Sequence, residues 1–292
     1  KDRPFTVIQE GLDAQDDKAM VAVAAGTYVE NLFLTSDHSG VHLAGRCREL
    51  VTIDGSGGSP ENWEEGSGIY MAGMTGSWTV SGVTVTGAPM NGIFHYYGTL
   101  ALDRVSVNEN QIRGIESDYG TLVATDCRLQ GNLELGLHVG GSSVTLQGVQ
   151  VLDTQPDANG EFGRGISVVE ESTLEATDCL LQGNHDVGLF VQESSVMLEG
   201  VQVLDTQPNT DGELGRGINL QPASTLVATD CLLQGNHVSG LYANDSSVTL
   251  DHVQFLDTQL PASGERGRGI DLVDSTMEAT DCLLQGNHDV GL

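Results

Sequence analysis

Apolar and polar residues alternate along most of this chain in short runs, and the runs recur. In the segment STLEATDCLLQGNHDVGL, from Ser172 to Leu189, apolar side chains take alternate positions and the run closes on Gly-Leu. The following SSVMLEGVQVLDT, from Ser194 to Thr206, repeats the alternation and passes through a loop into Gly217 and Ile218. A period of two marks β-strands, and recurrence at twenty-odd residues marks each segment as one turn of a solenoid. The octet Thr-Asp-Cys-(Arg/Leu)-Leu-Gln-Gly-Asn returns with its cysteine at Cys127, Cys179, Cys231 and Cys282, at spacings of 52, 52 and 51 residues. Each 52-residue unit is therefore two turns.

A glycine before an apolar residue closes every turn, from Gly68, Gly92 and Gly114 to Gly269 and Gly291, at intervals of 22 to 29 residues. About 22 residues fit three short strands and three bends; the longer turns carry an insertion of seven at one bend. Nine steps of ~4.8 Å give a rod of roughly 43 Å. The expected fold is all-β, a parallel β-helix solenoid. Residues 1–40 form an N-terminal cap and opening strands; residues 41–292 form the β-helix, irregular to about residue 120 and then built of 52-residue two-turn repeats. Thr6-Val-Ile-Gln9 has the form of a capping box, and Ile8 with Leu12 makes an i, i+4 apolar pair, which predicts a short capping helix near Thr6–Ala14. Asp16-Asp17-Lys18 should end it. Leu292 stops midway through a turn, so the natural chain is expected to continue with more turns or another domain.

Composition narrows the setting. The net charge of −29, from 41 acidic against 12 basic residues, argues against nucleic acid and anionic membrane as partners. No apolar run is long enough for membrane insertion. The four marker cysteines lie two turns apart, ~9.6 Å, too far for disulfides, and read as one inward ladder with Val149, Val201 and Val253 between them. The same distance keeps His185, His237 and His288 from sharing a metal ion, so they read as exposed turn residues and no metal site is assigned. Asn132, Asn184, Asn236 and Asn287 read as bend residues that bond backbone and tolerate a left-handed conformation.

The stretches VIQEGLD (from Val7), VAVAAGTYVE (from Val21) and GVHLAG (from Gly40), with the later Gly-Asn-x-x-x-Gly-Leu turns, resemble the right-handed parallel β-helix proteins of the pectate-lyase-like superfamily, of the bacterial secreted or surface type. The resemblance covers essentially the whole chain. It implies a right-handed helix, a secreted or cell-surface location, and a substrate groove on the sheet that opens at the marker glycine. The superfamily mixes polysaccharide-active enzymes with non-catalytic adhesins and tail-spike modules. Asn209-Thr210-Asp211 matches a polygalacturonase motif but lies in an insertion, and the companion motifs are missing. No cofactor is implied, calcium alone being left open.

On that sheet the outward row should read Tyr70, Phe94, Glu116, His138, Ser167, Phe190, Asn219, Tyr242 and Asp271, with Tyr96 and Asp118 on a second row. Glu116 and His138 are the candidate catalytic pair. Phe94, Tyr96, Arg113, Asp118 and Arg164 are the candidate substrate-binding residues, the arginines for uronate carboxylates and the rings for sugar faces. Arg164, Arg216 and Arg268 equally fit a bracing role with loop acids such as Glu161, Glu213 and Glu265. Near-identical repeats offer one surface several times, which suits a non-catalytic scaffold or multivalent, glycan-binding module. The alternative is a polysaccharide lyase or related enzyme acting on an acidic polysaccharide, with its site in the irregular turns.

Overall fold

The computed structural model describes residues 4–14, 19–260, 264 and 267–289. Three all-parallel sheets run through it, two of 11 strands and one of 10. Each turn gives one strand to each sheet, so sheet neighbours are a full turn apart in sequence. Ser143–Gln147 of the first sheet pairs with Thr121–Thr125 and Thr173–Thr177. Gln150–Leu152 of the second pairs with Arg128–Gln130 and Leu180–Gln182. Leu135–Gly140 of the third pairs with Arg113–Asp118 and Arg164–Val169. The opening strands Met20–Val23, Gly26–Val29 and Leu32–Thr35 are the first rungs of the three sheets.

In-register stacking turns the alternation into ladders. Leu122, Val144, Leu174 and Val196 point inward from the first sheet, Leu129, Val151, Leu181 and Val203 from the second, and Ile115, Leu137, Ile166 and Leu189 from the third, all at most 3% exposed. Each such side chain contributes about 1.5–3 kcal/mol by leaving water. Cys127, Cys179 and Cys231 are free and buried with Val149, Val201 and Val253, as the ladder reading requires; Cys282, in the last described turn, is half-buried.

From Gly82 onward each bend holds a left-handed residue. Between the first and second sheets the rungs are Gly82, Arg104, Asp126, Gly148, Asp178, Gly200, Asp230, His252 and Asp281, with φ between 50° and 63°. Glycine and aspartate dominate because they tolerate this conformation best. The marker glycine answers a different constraint: a Cβ on Gly188 would meet the carbonyl oxygen of Gly217 at 2.6 Å, so stacked backbones exclude a side chain there.

The asparagine ladder is structural, as expected, but its residues are not left-handed; the glycine just before each, Gly131, Gly183, Gly235 or Gly286, takes that conformation. Asn184 is 1% exposed, donates to Val151 O at 2.9 Å and accepts from Thr154 N at 3.1 Å, joining successive turns. His185 and His237 are half-buried rather than exposed, because each ring bonds a carbonyl of the preceding turn, Thr154 O at 3.0 Å and Thr206 O at 2.9 Å; His288 is exposed.

The capping helix forms over Ile8–Asp13 and buries Ile8 and Leu12 on the first turn, but the capping box does not form. The N-cap is Val7, and Glu30 accepts from Ile8 N at 3.0 Å and Gln9 N at 3.1 Å, supplying the anion the helix start needs. Gln9 is committed elsewhere: it exchanges hydrogen bonds with the backbone of Phe33 at 2.9 and 3.1 Å. Asp16-Asp17-Lys18, Glu265, and the closing Gly291 and Leu292 lie outside the described residues.

Candidate functional site

The outer face of the third sheet has the register read from the sequence. Tyr70 pairs with Phe94, Phe94 with Glu116, Glu116 with His138 and His138 with Ser167, while Tyr96 pairs with Asp118. Phe33 extends the row one turn earlier, beside Tyr70. Because rungs are stacked, so are the rings. Tyr70 and Phe94 lie 5.3 Å apart and within 1° of parallel, and Phe94 continues to Tyr96 at 6.2 Å. Trp63, on the single helical turn Trp63–Gly66 that rises before this sheet, stacks on Phe94 at 6.1 Å. With Asn62, Glu64 and Glu65 these rings line an open cleft of 340 Å³.

Next to the rings, one turn on, sits a polar cluster. Glu116 faces outward yet is only 6% exposed, because Arg113 grips one carboxylate oxygen at 2.6 Å and Asn91, 25 residues earlier, donates to the other at 2.6 Å. Asp118 lies 3.7 Å from His138 Nε2. One donor atom from each of Glu116, Asp118 and His138 can be drawn within 4.8 Å of one another. Burial pushes the Asp118 carboxyl up to about 7, with the Glu116 charge adding to the effect. Burial lowers the His138 imidazole to about 4, again helped by a neighbour, the Arg113 cation. Near neutral pH the site therefore holds a neutral imidazole beside a carboxyl poised to gain or lose its proton. Gly140 makes room for both: a Cβ there would lie 2.6 Å from the Asp118 carboxylate and 3.3 Å from His138 Nε2.

Calcium prefers six to eight oxygen ligands. Here one carboxylate is already neutralised by Arg113 and the third donor is nitrogen, so this set does not fit a calcium ion.

The candidate arginines are engaged. Arg113 holds Glu116 and lies over the Trp63 ring at 5.6 Å. Arg164 binds Asp186 of the next turn at 2.8 Å and stacks on Phe190 at 4.1 Å. Bracing is thus what Arg164 does, but through an acid of the stacked turn rather than the loop acid Glu161. Arg268 likewise bonds Asp271 at 2.7 Å and Asp289 at 3.4 Å, and Arg216 stacks on Tyr242 at 3.9 Å. Phe33, Asn91 and Trp63 were absent from the sequence-derived site. Phe33 follows no marker glycine, and Asn91 meets Glu116 only through stacking; Trp63 is an aromatic in an irregular loop whose direction no alternation fixes.

Residues 67–206 match the family described as the right handed beta helix region. No curated protein matches the chain in sequence. Among solved structures, the pectate lyase Pel9A superposes with a TM-score of 0.59 at 16% identity, over 94% of this chain and 73% of its own. The gp42 tailspike of Acinetobacter phage vb_AbaP_AS12 gives 0.64 at 11% identity, over 92% and 53%, so the chain spans about half of that protein. Pectin methylesterase from carrot gives 0.51 at 10% identity, over 94% and 84%. Stacked parallel strands, left-handed bends and these likenesses agree: the chain is a right-handed parallel β-helix, the fold it shares with the pectate lyase Pel9A and the phage tailspike.

Proposed function

We propose that this chain is a glycan-binding β-helix whose irregular N-terminal turns carry the binding groove and whose regular turns act as a rigid spacer. The observation that carries this reading is the run Phe33, Tyr70 and Phe94 on successive turns, with Tyr96 two residues further along the strand and Trp63 as a wall, which gives the cleft an apolar aromatic floor. Sugar rings present apolar C–H faces that stack on such aromatics, and their hydroxyls suit the polar rim of Asn62, Glu64 and Glu65. The acids here outnumber the single guanidinium of Arg113, which is bound to Glu116, so a neutral polysaccharide fits the groove better than a uronate polymer. Two of the structural neighbours carry pectate or pectin in their names, which supports polysaccharide as the ligand class. The described residues hold no helix long and apolar enough to cross a membrane. A polysaccharide ligand fits a secreted or cell-surface protein. Affinity electrophoresis on neutral and acidic polysaccharides tests the proposal. Tyr70→Ala and Tyr96→Ala should each weaken retardation by a neutral polymer about tenfold, as loss of about 1.4 kcal/mol of stacking requires; unchanged retardation in both overturns it.

A second reading, catalysis, is favoured by Asp118 alone: a carboxyl titrating near 7 beside a neutral imidazole can serve as a general acid or base. Glu116, locked by Arg113 and Asn91, would position Asp118 electrostatically. Turnover of any polymer that binds should then vanish in Asp118→Asn while binding persists.

A further inference from the structure

The corner between the first and second sheets, away from the aromatic groove, holds a second cavity of 530 Å³ lined by Arg46, Arg48 and Arg104 with Cys47, Glu49, Asp126 and Gln150. It forms because the chain leaves the second turn after Gly45, and the excursion is fastened back over later turns. Thr84 Oγ1 donates to Arg48 O at 2.7 Å, and Arg48 Nη1 donates to Asp126 O at 2.9 Å. We infer that this pocket is a binding site for a tetrahedral oxyanion, a phosphate or sulfate group.

Charge distribution makes the case. Only 12 residues of the chain are basic, against 41 acidic, yet three of the 12 line this pocket. A fourth, Arg128, stands in register beside the lining residue Gln150, and its Nε is buried without a hydrogen-bond partner. Three acids share the corner: Arg104 bonds Asp103 at 2.6 Å, Arg48 approaches Glu49 at 3.4 Å, and the Asp126 carboxylate lies against Gly148. Arg46 is exposed and has no partner among the described residues. Arg104 also breaks the rule of its bend. It holds φ 51° on a ladder otherwise made of glycine, aspartate and one histidine, so a cation replaces an acid on the rung that faces the excursion. Four guanidiniums against three carboxylates leave this corner net positive on a strongly acidic chain, with Arg46 free to turn to a ligand, and guanidiniums match phosphate and sulfate oxygens by paired N–H donors.

The test is calorimetric titration with sodium phosphate, sodium sulfate and a heparin-derived tetrasaccharide, at about 0.15 M sodium chloride to screen non-specific attraction. Single-site saturation in the millimolar range or tighter is expected, with at least tenfold weaker binding in the double variant Arg46→Gln/Arg104→Asn, since asparagine keeps the left-handed bend. Arg46→Gln alone, which disturbs no bond of the fold, should weaken binding at least threefold. Tighter binding of the free ions points to a soluble anion, and tighter binding of the tetrasaccharide to an ester group on a glycan. Absence of saturation up to about 20 mM, corresponding to binding weaker than about 2.3 kcal/mol, or equal affinities of the wild type and both variants, overturns the inference.

Discussion

The third sheet presents two faces of one register. From Phe33 to His138 its outward rungs carry stacked rings and a carboxylate–imidazole cluster with displaced proton affinities; from Ser167 onward the row reads Ser167, Phe190, Asn219, Tyr242 and Asp271, with Arg164 laid over Phe190 and tied to Asp186 of the next turn, and Arg216 laid over Tyr242. Backbone and core are alike in both halves. What differs is where the polar groups find partners. In the repeats Arg164 and Arg268 pair with acids of the next turn, Asp186 and Asp289, while after Arg216 that place is taken by Val238 and the guanidinium lies over Tyr242. In the early turns, where the sequence does not repeat, aromatic rings and titratable groups gather on one outward face. Interruption of the repeat is what makes room for the proposed groove.

The largest effect should come from the shared framework. Asn184→Ala leaves a buried N–H and a buried carbonyl unpaired and is expected to cost about 2–5 kcal/mol, seen as a lower urea midpoint. A wild-type midpoint would mean that the asparagine ladder is not what joins the turns.

Gly140→Ala should act only on the early half. The new Cβ displaces Asp118 toward solvent, so its carboxyl should fall from about 7 toward the ordinary 3.8, followed by carbon-detected NMR of the side-chain carboxyl. A titration that stays near 7 would show that burial at this rung does not set the proton affinity.

The pH dependence of stability sharpens the contrast further. Asp118, raised from 3.8 to about 7, binds its proton more tightly in the folded state, so its contribution is present at low pH and is lost as pH rises toward 7. His138 and His95, both lowered by burial from 6.5 to about 4, act oppositely: their contribution is present above 6.5 and is lost as pH falls toward 4. Two histidines outweigh one aspartate, so the midpoint should rise between pH 4 and 6.5 and slip slightly above it. In Asp118→Asn the rise should steepen and the slip disappear; urea midpoints measured from pH 4 to 8 in both proteins decide this.

Phe190→Ala should cost about 0.5–2 kcal/mol by uncovering the Arg164 guanidinium, yet leave glycan retardation as in the wild type. Loss of retardation would move part of the groove into the repeats. The smallest signal is chemical. Cys47, half-buried, should react with a thiol reagent in the native protein, whereas Cys127, Cys179 and Cys231 should wait for unfolding. Burial, which pushes the Cys127 thiol up to about 11, slows it further.

Period-two alternation, the 52-residue marker and the closing glycine were enough to fix the strands, the ladders and the outward row from Tyr70 to Asp271, because in a stacked solenoid register follows from sequence distance alone. Partners did not follow. Glu30 displaces the expected capping box, Asp186 takes the place of Glu161 beside Arg164, and Asn91 reaches Glu116 across a turn. Side-chain direction at the bends and the depth of the surrounding wall decide each of these contacts. Proton affinity was equally invisible: alternation placed Asp118 on the outward face as a candidate binding residue, but only burial beside Glu116 lifts its carboxyl to about 7. Alternation records which side of a strand faces water; only packing determines how much water is left there.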